Sequence, residues 1–439
     1  MDALLLLVFV IDNKHGASLK ACHFFLRSRT SAFTLFKQPW HTQEIDHRSK
    51  TMKAYEAPDF LNFDQHLSEE EIMIRDTMRS FVTKEIMPII ATHYDNGTFP
   101  KQLIPQLAEL GTFGSTIQGY GCAGVNYTTY GLIMQELERG DSGLRSFVSV
   151  QGALCMYPIS AFGTEAHKQK YLPKMAKGEL IGCFGLTEPD YGSDPGGMVT
   201  RAKKDGNDYI LNGAKMWITN GGIADLAIVW AKNDENQIKG FIVDKGTKGF
   251  TTRNIEKKFS LKASVTSELI FQDCRVPASN MLEVTGLKGP FSCLNNARFG
   301  ISWGVLGASM ACYDEALNYA KTRIQFDKPI ASFQLVQAKL VEMYKDIYLG
   351  QLLALEVGRA KDKGTAQPVH ISMAKMNNVS NALKHARMTR DILGASGITY
   401  EYQCGRHMLN LESVNTYEGT EDIHRLIIGN HITGIPAFK

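Results

Sequence analysis

The chain has 439 residues, 44% of them hydrophobic, with 48 Lys and Arg against 45 Asp and Glu and a formal net charge of +3. That is apolar material for two or three domains or one large enzyme, and the charge balance excludes a global basic field for nucleic acid or a long charged tail. Eight cysteines, at positions 22, 122, 155, 183, 274, 293, 312 and 404, form no C-x-x-C pair, which argues against a disulfide-stapled secreted scaffold and a Cys-type metal or redox motif.

Residues 1–53 read as a mitochondrial transit segment. Between Asp12 and Glu44 there is no acid, while Lys14, Lys20, Arg27, Arg29 and Lys37 are interleaved with Ser, Thr, Phe and Leu. The apolar run from Leu4 to Ile11 is too short to span a bilayer, so no integral membrane span is expected. The first helix is signalled at Leu67-Ser-Glu-Glu-Glu-Ile72, with Ser68 as N-cap and Glu71 as its capping-box partner. Helical spacing recurs through Ile104 to Leu110, Tyr130 to Glu138 and His167 to Ala176, which gives a helical domain over 57–178.

The period then changes. Asp205-Gly206 and Asn212-Gly213 have the composition of tight hairpin turns, and strand-like runs follow at Ala227 to Trp230, Gly240 to Val243 and Leu269 to Phe271. A small antiparallel β-domain is expected over 180–285. From Phe291 helical spacing returns, clearest at Val336, Leu340, Met343 and Ile347 and again from His370 to Leu393, with Gly394 as a stop. A helical bundle over 286–439 completes an α+β chain.

One G-x-G-x-x-G occurs, Gly119 to Gly124, but no buried strand leads into it and Glu138 falls inside the following helix, so a loop before a helix is expected. No Walker loop, H-E-x-x-H helix or G-x-S-x-G elbow is present, and no metal site is expected.

The informative stretches are Phe184-Gly-Leu-Thr-Glu-Pro-Asp-Tyr-Gly-Ser-Asp194, Trp217-Ile-Thr-Asn220, Arg323-Ile-Gln-Phe326, Leu393-Gly-Ala-Ser-Gly-Ile398 and Thr416-Tyr-Glu-Gly-Thr420. In this order, across helix, sheet and helix, the chain from about residue 57 onward resembles the acyl-CoA dehydrogenase family of FAD enzymes. The resemblance implies a fold of N-terminal helical domain, middle antiparallel β-domain and C-terminal four-helix-bundle domain. Phe291 to Ser309, the Tyr-Glu-Gly-Thr segment and Arg145 followed by Ser146 are most similar to the members that act on glutaryl-CoA.

That resemblance implies oxidative decarboxylation of glutaryl-CoA to crotonyl-CoA and CO2, as in lysine, hydroxylysine and tryptophan degradation. Electrons would pass to electron-transfer flavoprotein, by a homotetramer in the mitochondrial matrix. Glu418 takes the position of the base that removes the α-proton, with Gly419 beside it. Arg145 would receive the far carboxylate next to Ser146, and Phe291, Leu294, Asn295 and Arg298 would line the CoA channel, with Arg298 near the nucleotide or pantetheine. For FAD the resemblance marks Phe184, Leu186, Thr187, Gly192, Ser193, Trp217, Ile218, Thr219, Thr420 and Phe438, with Ser193 also near substrate. Arg323 and Gln334 would take the pyrophosphate, and Asp391, Leu393, Gly394 and Ala395 the adenylate end, from a neighbouring subunit. The chain departs from the family at Tyr191, where relatives carry a small residue, and at Ala395.

Other readings of the same residues stay open at this point. Glu418 could simply precede a final helix capped by Thr420, Trp217 could be sheet core, and Arg145 could pair with Asp141 four residues earlier. The alternatives in function are a short- or branched-chain acyl-CoA dehydrogenase without decarboxylation and an acyl-CoA oxidase.

Overall fold

The computed structural model describes residues 59–437; the leader expected over 1–53 and Phe438 lie outside the described residues. Ser68 caps the first helix as its spacing requires: its side chain accepts from the Glu71 N–H at 3.2 Å, and Glu71 Oε2 accepts from the Ser68 N–H at 2.9 Å. The helical N-terminal part is α1 (Glu69–Phe81), α2 (Met87–Asn96), α3 (Ile104–Glu109), α4 (Tyr127–Gly140), α5 (Ser142–Ser149), α6 (Tyr157–Phe162) and α7 (Glu165–Ala176). A π-helical stretch, Val150–Met156, joins α5 to α6. Nearly all of α4 and α5 is buried, so they form the inner layer.

The middle part is a seven-stranded sheet: β1 (Gly182–Gly185), β2 (Arg201–Asp205), β3 (Asp208–Thr219), β4 (Leu226–Lys232), β5 (Ile238–Asp244), β6 (Phe250–Asn254) and β7 (Thr266–Pro277). Its order is β1-β4-β2-β3-β7-β6, with β5 on β4. Most neighbours are antiparallel, but β1 pairs parallel with β4, from Gly182 opposite Leu226 to Gly185 opposite Val229, and β2 meets β4 in parallel at one position. The sheet is therefore mixed. The Asp205-Gly206 signal is the β2–β3 hairpin, with Gly206 at φ 62. Asn212-Gly213 corrects the expectation of a second turn: it is a bulge inside β3, where Gly213 at φ 144 brings the backbone so near Thr200 that a Cβ would sit 2.5 Å from its hydroxyl.

The C-terminal bundle is α8 (Lys288–Thr322), α9 (Gln334–Asp362), α10 (Pro368–Ile392), α11 (Cys404–Thr416) and α12 (Glu421–Thr433). Helices α8 and α10 pack against each other, and α8 also packs along α4, which ties the two helical parts together. Gly394 takes the left-handed conformation, φ 59, that stops α10. The G-x-G-x-x-G segment is a loop leading to α4. The seven described cysteines are free thiols, and no helix among the described residues is long and apolar enough to cross a membrane.

Candidate active site

The short link between α11 and α12 answers what Glu418 does there. Capping is done by Thr420, whose hydroxyl accepts from the Ile423 N–H at 3.2 Å, while Glu421 and Asp422 occupy the first turn. Glu418 takes no part in it. Its backbone is left-handed, φ 54, followed by Gly419 at φ 93, a conformation that for a non-glycine residue costs about 1 kcal/mol or more. The residue is half-buried, yet Oε2 is covered and has no hydrogen-bond partner. Burial raises its carboxyl above the ordinary value, against Arg145, Arg298 and Lys375, which pull it down.

Arg145 lies on the same cluster. It is completely buried, and its partner is Glu138, 2.6 Å from Nε and equally buried, not Asp141. Asp141 instead binds Arg406 at 2.7 Å and Asn410 at 2.9 Å while capping α5 through the Gly143 N–H, and that set of bonds removes it from the reach of Arg145. Space for the Glu138–Arg145 pair comes from Gly304, whose Cβ would lie 2.2 Å from Glu138 Oε2. Arg145 Nη2 donates to the Tyr417 hydroxyl, which also meets Ser146 Oγ at 3.2 Å. Arg145 Nη1 is buried with no partner, as is Glu418 Oε2. Buried polar atoms are nearly always bonded, so these two are open to a ligand's polar groups.

Arg298 reaches the same link: its Nε donates to the Glu418 carbonyl at 2.7 Å. Phe291, Leu294 and Asn295 sit in the first turns of α8, Phe291 38% exposed and the other two half-buried.

On the sheet, Trp217 is not core. It sits at a bulge in β3, at φ 64, with 61% of its surface exposed, and an aromatic face held out in this way suits stacking by a flat ring system. Thr219 follows, half-buried, with Ile218 between them turned into the core. Thr187 is half-buried and its carbonyl accepts from the Met216 N–H at 2.8 Å, whereas Gly192 and Ser193 are exposed. Phe184 and Leu186 bury their side chains, so backbone is what they present to a ligand.

The loop carrying these residues is anchored by a pair that sequence reasoning missed. Glu188 accepts from Val199 N at 2.7 Å, Thr200 N at 3.0 Å and Lys215 Nζ at 2.8 Å. Burial pushes Lys215 down to about 8 against the pull of Glu188. Glu188→Ala leaves an uncompensated buried ammonium, and a loss of about 3–5 kcal/mol is expected, read as a lower melting temperature with early loss of the loop's protection in hydrogen exchange. Tyr191 is accommodated by Gly197, where a Cβ would fall 2.3 Å from the ring.

Arg323, Leu393, Gly394 and Ala395 line one cavity of about 280 Å³ with Tyr319, Gln325 and Ser396. Asp391 is outside that lining, its carboxylate paired with Lys339, and Gln334 is an exposed residue at the start of α9. Tyr417 stood inside a quoted motif without a role, and Glu138 lay in a stripe that reads as core. The one signal for Glu138 was the glycine at 304, which leaves room for its pair with Arg145.

A helical, sheet and helical unit thus brings the half-buried carboxylate of Glu418 within electrostatic range of the buried Arg145 guanidinium. The chain belongs to the acyl-CoA dehydrogenase family: models of its N-terminal, middle and C-terminal domains match residues 68–179, 183–274 and 285–433. A glutaryl-CoA dehydrogenase from Mycobacterium smegmatis is 54% identical with a TM-score of 0.85, over 87% of this chain and 99% of that one. Another glutaryl-CoA dehydrogenase structure from that organism, in complex with FADH2, is 49% identical with a TM-score of 0.85, over 86% of this chain and 98% of that one. A short-chain specific acyl-CoA dehydrogenase of Megasphaera elsdenii is 36% identical over 80% of this chain and 94% of its own length.

Proposed function

We propose that the chain is an FAD enzyme that oxidises and decarboxylates glutaryl-CoA. The observation that carries the reading is the unpartnered Arg145 Nη1, buried in one cluster with the unpartnered Glu418 Oε2: a cation for the distal acid and a base for the α-carbon. The exposed Trp217 face with Thr187 and Thr219 fits an isoalloxazine ring, and the cavity at Arg323 and Leu393 to Ala395 fits the cofactor's nucleotide end. FAD, when bound, supplies the acceptor for the hydride that leaves Cβ.

Glu418 takes the α-proton, and raising its pKa by burial strengthens it as a base. Arg298 and Lys375, within electrostatic range of Glu418, hold positive charge where the thioester becomes enolate-like. Arg145 orients the far carboxylate through a charge-assisted bond. Because Glu138 already neutralises the guanidinium, the substrate carboxylate meets the free N–H groups of Nη1 and is not locked in a full ion pair. After oxidation it is vinylogous to the thioester: the C–CO2 bond breaks, its electrons enter the conjugated chain, and the proton on Glu418 returns to carbon to give crotonyl-CoA.

On the same family reading, electrons pass to electron-transfer flavoprotein and the chain assembles as a homotetramer. For the latter, Phe326, Leu335 and Ile398 stand 86, 80 and 75% exposed, apolar side chains that a second copy would cover. The matrix location rests on the basic, acid-free stretch in residues 13–43. A second reading, a short-chain dehydrogenase in which Arg145 is structural, is favoured by the two Arg145 nitrogens already bonded to Glu138 and Tyr417.

Anaerobic mixing of holoenzyme with glutaryl-CoA, then addition of electron-transfer flavoprotein, separates these readings. Flavin bleaching with CO2 equimolar to crotonyl-CoA is expected. Bleaching by butyryl-CoA with no CO2 from glutaryl-CoA would select the short-chain reading, and stoichiometric peroxide in air the oxidase.

A further inference from the structure

Three consecutive carbonyls in the link that carries Glu418 end on two cations, Lys375 and Arg298. Lys375, on α10 and 1% exposed, donates through Nζ to the Tyr417 carbonyl at 3.1 Å and to the Gly419 carbonyl at 2.7 Å. Arg298, on α8, takes the carbonyl between them. Among the described residues Lys375 forms no ion pair, so its ammonium is buried with two backbone oxygens and no carboxylate bonded to it. A purely structural position in a bundle core would be filled at less cost by an apolar residue, because a buried unpaired charge is expensive.

Resting on the reading of Glu418 as base, we infer that Lys375 is a positioning residue for the reaction: it fixes the backbone on both sides of Glu418, and its charge favours the ionised carboxylate. The first effect follows from geometry. Glu418 and Gly419 are both left-handed, a conformation that must be held by its surroundings, and Lys375 holds the residue before the pair and the second member of it. Only glycine fits at 419 beside α12, since a Cβ there would lie 2.9 Å from His424 Nε2.

The second effect depends on the other charges that face the site. Arg145 from α5 and Arg298 from α8 add to Lys375, while Glu138 on α4 neutralises Arg145 and Glu421 on α12 lies near Lys375. Tyr130 on α4 and Tyr417 are held neutral by burial, each pushed up to about 12. His424 is pushed down to about 3 and contributes no charge. Burial lowers Lys375 to about 7, with Glu418 pulling it back up, so ionised Glu418 and protonated Lys375 favour each other.

The test compares Lys375→Met, which removes charge and donors, with Lys375→Arg, which keeps the charge on a different donor geometry, both as FAD-loaded enzyme. In Lys375→Met the acid limb of kcat/KM for flavin reduction by glutaryl-CoA should move up by about one pH unit, and the plateau rate should fall about a hundredfold. In Lys375→Arg the limb should stay while the plateau falls. A readout free of oxidation is deuterium exchange at the α-carbon of 3-thiaglutaryl-CoA, which has no Cβ hydrogen to lose, and its pH limb should move in the same way. An unmoved limb in Lys375→Met overturns the inference, whatever its rate. Should that variant fail to hold FAD, Lys375→Arg decides: a limb that moves with the charge retained, or an unchanged plateau, overturns it. Turnover surviving in Glu418→Gln would instead overturn the base assignment itself; an inactive Glu418→Gln with an unmoved Lys375→Met limb removes this inference alone.

Discussion

Glu418→Gln is expected to lower the rate of flavin reduction by glutaryl-CoA by about 10²–10⁴-fold or more, the range typical of losing a positioned general base, with FAD still bound. The amide keeps the shape and the left-handed backbone, so Trp217 and the cavity at Arg323 are untouched. In the wild type, kcat/KM should fall as pH drops through the carboxyl's pKa in the free enzyme. That limb lies above the ordinary carboxylate range because burial raises Glu418 more than three cations lower it. Stability follows the same sign. A group whose folded pKa is raised stabilises the fold below its unfolded pKa, and that contribution is lost as pH rises through the folded value. Above that folded value the wild type holds an ionised acid against burial and the Gln variant does not. Glu418→Gln should therefore melt at the same or a higher temperature in that pH range, an outcome in which activity and stability move apart. Stopped-flow reduction and thermal melting of the same preparation check both; turnover near the wild-type rate would end the assignment of Glu418 as base.

Much of this architecture could be read in the sequence because its signals were local. Ser68 and Glu71 are three residues apart, Asp205-Gly206 closes a hairpin between adjacent strands, and Gly394 stops a helix by its own φ. What failed was also physical. Asn212-Gly213 has the composition of a turn, yet its glycine serves close approach to Thr200, a residue on another segment. The parallel pairing of β1 with β4 spans more than forty residues, beyond any periodicity. In the site, Glu418, Arg145 and Arg298 came from motifs, but what holds the link at 417–419 is long-range. Lys375 sits on a helix whose pattern reads as core, and only the folded chain brings it and Arg298 to that link.

The buried pairing of Arg145 with Glu138 shapes the second large expectation. Arg145→Ala should depress kcat/KM for glutaryl-CoA by about 10- to 100-fold more than for butyryl-CoA, the range expected when a charged group loses its hydrogen-bond partner. The single substitution confounds two effects, because it also leaves Glu138 buried and unpaired, which alone costs about 3–5 kcal/mol and would lower activity toward every substrate. Joining Arg145→Ala to Glu138→Gln removes that stranded charge. If Arg145 receives the distal carboxylate, the double variant recovers stability and butyryl-CoA turnover but not glutaryl-CoA turnover, and the ratio of the two kcat/KM values stays depressed. If Arg145 only supports the fold around Tyr417 and Ser146, both substrates recover together. The ratio, measured in both variants beside their melting temperatures, separates a clamp on substrate from a strut, because only a group that touches the second carboxylate can tell a dicarboxylic thioester from a monocarboxylic one.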